Sequence, residues 1–220
     1  MEYTHFNEKS WRGDTAKPIS IWLTTGCNLS CKYCFQDSTI HKAVSTVEFE
    51  TIDKFSEFCR RNNYTHIHFF GGEPLLAQNE FIYTIEKLYK SIPGVSFELV
   101  TNGTLIDDEI MSLIEAKEIA VLLSLDGNKE RHNKFRGGFQ AIEKWFPRLT
   151  KLKDIYVAMQ LGEVEGMYSN LKTIWHYGFK RVAINILENY GYYSTEDISK
   201  FEKEYEKAIQ GMRPSWQNGS

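Results

Sequence analysis

Six times in succession, a short run rich in β-branched and aromatic residues is followed by a segment with helical period. The runs are Ile19–Thr24, His66–Phe70, Ser96–Val100, Ile119–Leu125, Ile155–Gln160 and Arg181–Leu187, each of strand length. The segments between them carry apolar stripes. The stripes are Phe49, Ile52, Phe55 and Cys59; Phe81, Ile85 and Leu88; and Ile110, Leu113 and Ile114. A fourth is Phe139, Ile142, Trp145 and Leu149, with Pro147 expected to bend or end it. Met167, Leu171, Ile174 and Trp175 form the fifth, and Ile198, Phe201, Tyr205, Ala208 and Met212 the sixth. Capping signals agree: Ser45-x-x-Glu48 before the first helix, Asp107 before the third, Ser194-x-x-Asp197 before the sixth.

Strand–helix alternation implies a parallel sheet, because parallel neighbours need a crossover and helices supply it. Eight such units would close a barrel. Six predict an α/β fold of the partial (β/α)6 barrel type, a curved parallel sheet with helices outside. A flat doubly wound sheet is the rival. Either way, the chemistry belongs after the C-terminal ends of the strands.

With 220 residues, 42% of them hydrophobic, the chain can bury one sizeable core. The expected organisation is an N-terminal arm over residues 1–17, a core domain over 18–213 and a tail over 214–220. A net charge of −3 argues against a basic face for duplex nucleic acid. No run approaches the ~20 apolar residues of a membrane span. The opening residues lack the pattern of a secretory signal, so a cytoplasmic protein is expected.

The loop after the first run reads Thr25-Gly-Cys27-Asn-Leu-Ser-Cys31-Lys-Tyr33-Cys34. Three cysteines within eight residues of a cytosolic chain signal metal or redox chemistry. Three thiolates can hold three irons of a cubane cluster and leave the fourth open. A zinc site is the alternative, with Cys59 or His41 as fourth ligand. Cys59 lies on an apolar helix stripe, where a buried thiol is common.

The loop after the second run is Gly71-Gly72-Glu73-Pro74. Its glycines permit close approach by a ligand, and Glu73 can accept from an ammonium group. After the third come Thr101-Asn102-Gly103, where Asn102 offers a polar edge or forms a plain turn. After the fourth come Ser124-Leu-Asp126-Gly127, then Arg131, His132 and Arg136. Ser124 and Asp126 alternate with Leu125 and share a direction. Arg136 can pair with a carboxylate or remain a solvated charge.

Together these motifs resemble the radical S-adenosylmethionine (SAM) superfamily. Cys27-x-x-x-Cys31-x-Tyr33-Cys34 is similar to its cluster loop, and Gly71-Gly72-Glu73-Pro74 to its methionine-amine motif. Thr101-Asn-Gly and Ser124-Leu-Asp-Gly look most like the branch of sulfatase-maturing and peptide-modifying (SPASM-type) enzymes. The resemblance runs from about Ile19 to the sixth helix. It implies a four-iron four-sulfur cluster held by Cys27, Cys31 and Cys34, with SAM chelating the open iron. It places Tyr33 near the adenine, and Gly71, Gly72, Glu73 and Pro74 at the amine. Asn102, Ser124, Asp126 and Arg136 would meet ribose or carboxylate, and backbone around Leu187 the adenine. It further implies a flavodoxin or ferredoxin-type electron donor, and a 5′-deoxyadenosyl radical that removes hydrogen from substrate. Relatives of that branch usually continue into a Cys-rich extension with auxiliary clusters. Only Cys59 remains here, so a single-cluster enzyme, or the core of a longer one, is expected.

On the substrate side, Gln160, Glu163, Glu188, Asn189, Tyr190, Tyr192 and Tyr193 follow the last two strands. Of these, Tyr190, Tyr192 and Glu188 are the candidate catalytic residues, with a packed loop as the other reading. His66 and His68 share one side of a strand and are read as packed or hydrogen-bonded. A peptide or protein is the expected substrate. A small metabolite or nucleotide is the alternative, and a zinc-binding interaction module the alternative from another class.

Overall fold

The computed structural model describes residues 17–34, 36, 44–161, 164–186 and 194–217, the last six without their side chains. The expected arm, except Lys17, therefore lies outside the described residues, as do 218–220 of the tail. Six strands form a parallel sheet in chain order: β1 (Pro18–Trp22), β2 (His66–Phe70), β3 (Ser96–Thr101), β4 (Ala120–Ser124), β5 (Ile155–Leu161) and β6 (Val182–Ile186). Each agrees with its expected run to within two residues at either end. The helices are α1 (Phe49–Arg61), α2 (Gln78–Ser91), α3 (Asp108–Ala116), α4 (Lys129–Phe135), α5 (Phe139–Glu143), α6 (Phe146–Leu149), α7 (Met167–His176) and α8 (Thr195–Gln217). A 3-10 turn, Pro74–Ala77, leads into α2.

The chain divides into two compact units. Among described residues, the first holds 17–28, 44–101 and 109–120. Within it β1 pairs with β2 from Pro18↔His66 to Trp22↔Phe70, and β2 with β3 from His66↔Ser96 to Phe69↔Leu99. Ile67, Phe69, Phe97 and Leu99 of the strands are buried, as are Phe81, Ile85 and Leu88 of α2. Phe69 meets the Phe81 ring edge-on at 4.7 Å. Ile52, Ser56 and Cys59 form the buried face of α1. Phe49, expected on that face, is exposed and instead meets Tyr83 edge-on at 4.9 Å. Ser45 does not cap this helix, whose N-cap is Glu48. The Ser45 carbonyl and N–H are bonded to the Thr25 N–H and Oγ1, at 3.1 Å each. An antiparallel bridge between Thr24 and Thr46 joins the same two stretches.

The second unit holds, among described residues, 29–34, 36, 102–108, 121–161, 164–186 and 194–217. Here β4 pairs with β5 from Val121↔Ile155 to Ser124↔Ala158, and β5 with β6 from Val157↔Val182 to Leu161↔Ile186. Phe139, Ile142, Leu149, Met167, Ile174 and Phe179 are buried around these strands. The fourth stripe is broken before Pro147: α5 ends at Glu143, and Pro147 sits in the first turn of the short helix α6, where its missing N–H costs nothing. The Ser194–Asp197 box forms as expected: Ser194 N–H donates to Asp197 Oδ2 at 3.0 Å and Asp197 N–H to Ser194 Oγ at 3.2 Å. The stripe behind it is only partly realised. Ala208 is buried, while Ile198 and Tyr205 are exposed.

Candidate active site

In the first unit the motif after β2 is locked onto the exit from β1. The Glu73 N–H donates to the Gly26 carbonyl at 2.8 Å. A Cβ on Gly72 would lie 2.0 Å from that same oxygen, so only glycine fits. What approaches this glycine is therefore the chain's own backbone, one residue before Cys27, where a ligand was expected. Glu73 is buried and caps the 3-10 turn that Pro74 opens. Its Oε1 accepts from the Leu75 N–H at 3.1 Å and from Thr101 Oγ1 at 2.7 Å. The ends of β2 and β3 thus hold one carboxylate in a fixed orientation.

The second unit carries Cys31, Tyr33 and Cys34 on a turn in which the Cys34 N–H donates to the Cys31 carbonyl at 3.0 Å. The Lys32 N–H donates to the Phe135 carbonyl at 2.9 Å, tying the turn to the end of α4. Tyr33 stacks on Phe135 with ring centroids 5.9 Å apart, and its hydroxyl donates to Asp126 Oδ2. Arg136 Nε donates to the same oxygen at 2.9 Å, and the Gln160 N–H to Oδ1 at 2.9 Å. The Arg136 guanidinium also lies 5.1 Å from the Tyr33 ring centroid. Asp126 is fully buried and the Arg136 side chain is 9% exposed. Arg136 is thus a buried ion-pair partner and not a solvated charge. Burial opposes its charge, yet Asp126 and Tyr33 beside it prevail and raise its pKa. Burial, with Asp126 adding to it against the opposing Arg136, pushes the Tyr33 hydroxyl well above the usual phenol range.

His132 lies behind this group, fully buried. Its Nδ1 accepts from the Asp126 N–H at 3.4 Å, so the imidazole is neutral with its proton on Nε2. Burial pushes its pKa down to about 4, against the opposing pull of Asp126. Gly127 has φ +118°, and a Cβ there would lie 2.2 Å from Asn170 Oδ1. That oxygen accepts from the Asn128 N–H at 3.1 Å. Asn170 and the role of His132 stand outside the motifs visible in the sequence. For Asn170 the signal was weak: one polar residue on the buried face of α7.

Ser124 ends β4 half-buried. Asn102 Oδ1 accepts from the Thr104 N–H at 2.9 Å and from Thr104 Oγ1 at 2.7 Å, so this oxygen closes a turn. Leu187, Glu188, Tyr190 and Tyr192 lie outside the described residues, as do Glu163, Asn189, Tyr193 and His41.

None of the four cysteines is in a disulfide. Cys27 and Cys31 are half-buried and Cys34 is exposed. Cys59 is sealed in the face of α1, and burial pushes its thiol up to about 11. Three accessible thiols on one short segment fit a three-thiolate iron–sulfur cluster. Cys59 lies instead on the buried face of α1.

The profile of the radical SAM superfamily matches residues 21–159, well over half of the 220-residue chain. The chain belongs to the radical SAM superfamily. Members of this superfamily are enzymes that use a four-iron four-sulfur cluster and SAM. The cysteine-type anaerobic sulfatase-maturating enzyme of Clostridium perfringens is 33% identical over 130 residues, covering 53% of this chain and 35% of its own length. The subtilosin biosynthesis protein AlbA of Bacillus subtilis is 27% identical over 208 residues, covering 85% and 44%. The GTP 3′,8-cyclase of Chlorobaculum tepidum is 29% identical over 159 residues, covering 70% and 47%. The chain thus spans less than half the length of each of these radical SAM relatives. Among solved structures, native anSMEcpe with bound AdoMet superposes with a TM-score of 0.74 at 24% identity, over 91% of this chain and 62% of that one. The fold is therefore the partial (β/α)6 barrel, and the doubly wound alternative is set aside. Among the described residues no helix is long and apolar enough to cross a membrane.

Proposed function

We propose that this chain, over residues 18–213, is a radical SAM core that cleaves SAM reductively at a single cluster and acts on a peptide or protein side chain or α-carbon. The observation that carries the reading is the accessible thiol segment with Tyr33 clamped into it by Asp126, Arg136 and Phe135. When bound, the reduced cluster and SAM would supply a 5′-deoxyadenosyl radical able to remove a substrate hydrogen, one electron being consumed and methionine released.

Cys27, Cys31 and Cys34 would hold three irons as thiolates. Glu73, fixed through its Oε1, would receive the methionine ammonium together with the Gly71-Gly72-Glu73-Pro74 backbone. Tyr33 would border the adenine, and the half-buried Ser124 would meet the ribose. Asp126 has both oxygens engaged by Tyr33, Arg136 and the Gln160 N–H. Its role is then to orient Tyr33 and Arg136 for the cofactor, not to touch it. The Arg136–Asp126 pair is neutral overall, so it orients without adding net charge. Leu187 would border the adenine, and Tyr190, Tyr192 and Glu188 stand as substrate-side residues. A cytoplasmic flavodoxin or ferredoxin would deliver the electron.

The peptide reading is supported by the names of the maturating and bacteriocin-biosynthesis relatives. A nucleotide or other small metabolite is the second reading, favoured by the cyclase match over 70% of the chain. The test is anaerobic reconstitution with iron and sulfide, then reduction with SAM and detection of 5′-deoxyadenosine. About four irons per chain and product that is lost in Cys34→Ala are expected. A folded protein with one zinc and no deoxyadenosine would overturn the proposal. Incubation with candidate peptides and with nucleotides, read by mass, separates the two substrate classes.

A further inference from the structure

Three metal-ligating side chains share one face at the start of β2 and β3, inside the first unit. His66 and His68 are two apart on β2 and project to the same side. In the parallel register His66 lies beside Ser96 and His68 beside Glu98. The two imidazoles meet edge to face with centroids 4.4 Å apart. One ligand atom from each of His66, His68 and Glu98 lies within 4.8 Å of the other two. His66 is buried, and His68 and Glu98 are half-buried. Gly71, Gly72 and Glu73 follow the opposite end of β2, so this cluster is separate from that motif.

His66 is anchored through one ring nitrogen. Its Nδ1 is 2.8 Å from Ser96 Oγ, and Ser96 Oγ is 3.3 Å from the Thr65 carbonyl. Its other nitrogen, Nε2, is turned toward Glu98 Oε2 at 3.8 Å, beyond hydrogen-bonding distance. A metal ion between the two is within reach of both. An imidazole anchored through one nitrogen and offering the other is also how metal-ligating histidines are held.

We propose that His66, His68 and Glu98 bind a divalent transition-metal ion, with Zn²⁺ the preferred occupant. Ligand atoms on one tetrahedral zinc are about 3.3 Å apart, given Zn–N of about 2.0–2.1 Å. Small side-chain rotations close the present spacing to that value. Water takes the fourth position. Two imidazoles and a carboxylate prefer Zn²⁺ or Cu²⁺ to Fe²⁺. The ion ties the start of β2 to the start of β3. The site does not rest on the proposed radical chemistry.

The experiment uses two preparations: the full chain with its cluster reconstituted, and the Cys27→Ala/Cys31→Ala/Cys34→Ala chain, whose thiol segment cannot capture metal. Each is dialysed against trace Zn²⁺ and analysed for zinc and iron. One zinc per chain is expected in both. Affinity should fall at least about tenfold in His68→Ala and in the isosteric Glu98→Gln, and stay unchanged in Cys59→Ala. Circular dichroism shows whether each variant is folded, and Glu98→Gln keeps the test valid if His68→Ala is not. Co²⁺ in place of zinc should give ligand-field bands without thiolate charge transfer. No zinc in the triple-cysteine chain, or zinc unmoved by both site variants, would overturn the site. The iron content reports separately on the cluster, so the two readings fail independently.

Discussion

Asp126→Asn is the sharpest test of how the second unit is built. The substitution keeps the shape and removes one charge. Asp126 is fully buried and Arg136 is 9% exposed, so the guanidinium loses the carboxylate it pairs with in a place water scarcely reaches. Breaking one side of such a pair costs about 3–5 kcal/mol. The new amide can still accept from the Gln160 N–H, but it then presents a donor to Arg136 Nε and must rely on Tyr33 to reverse its hydroxyl. With a urea m-value of about 2 kcal/mol/M, the unfolding midpoint of the cluster-free protein should fall by roughly 1.5–2.5 M. Removing both charges, in Asp126→Asn with Arg136→Met, should recover most of this loss, because no unpaired ion remains. A single variant that loses less than about 1 kcal/mol, or a double variant no better than the single, would refute the assignment of Asp126 as the hub. In the reconstituted protein, Asp126→Asn should also weaken SAM binding, since Tyr33 loses its anchor.

Other predictions rest on separate features. His132 is neutral in the fold with a pKa of about 4, against about 6.5 when unfolded. The unfolded state binds the extra proton in that window, so stability is lost as pH falls through it, by about 2 kcal/mol between pH 7 and 5. The urea midpoint of His132→Phe should show a flatter dependence over the same range. Native protein freed of its cluster should alkylate at Cys27, Cys31 and Cys34 and spare Cys59 until denatured, as mass spectrometry would read; early modification of Cys59 would contradict its burial. Gly72→Ala drives a methyl into the Gly26 carbonyl and should cost about 1–3 kcal/mol together with much of the reconstituted iron; a variant with wild-type iron and stability would show that the contact is dispensable.

The strands were legible because each is a short apolar run with buried residues such as Ile67 and Phe69. Helix α4 was not. Its sequence, Lys129-Glu-Arg-His-Asn-Lys-Phe135, shows no apolar period, and its buried face consists of Arg131, His132 and Phe135. Asn128 caps it, accepting from the Arg131 N–H at 2.8 Å, but a lone Asn after Gly reads equally as a turn. Ser45-x-x-Glu48 misled for a tertiary reason, since Thr25 claims the Ser45 backbone before the helix can. The motif residues were found by type, while their partners were not. That Arg136 and Tyr33 meet on one Asp126 oxygen depends on how α4 folds back, and no local spacing encodes that.

The bond from the Glu73 N–H to the Gly26 carbonyl has a consequence for how such a chain can change length. It staples Gly26, the residue before Cys27, to the backbone of Glu73, forty-seven positions downstream. An insertion on either side shifts both, so neither loop can drift alone. Laboratory libraries that lengthen one of these turns should yield survivors only when the other changes with it. Diversity in this fold is better sought where no such staple joins two motifs.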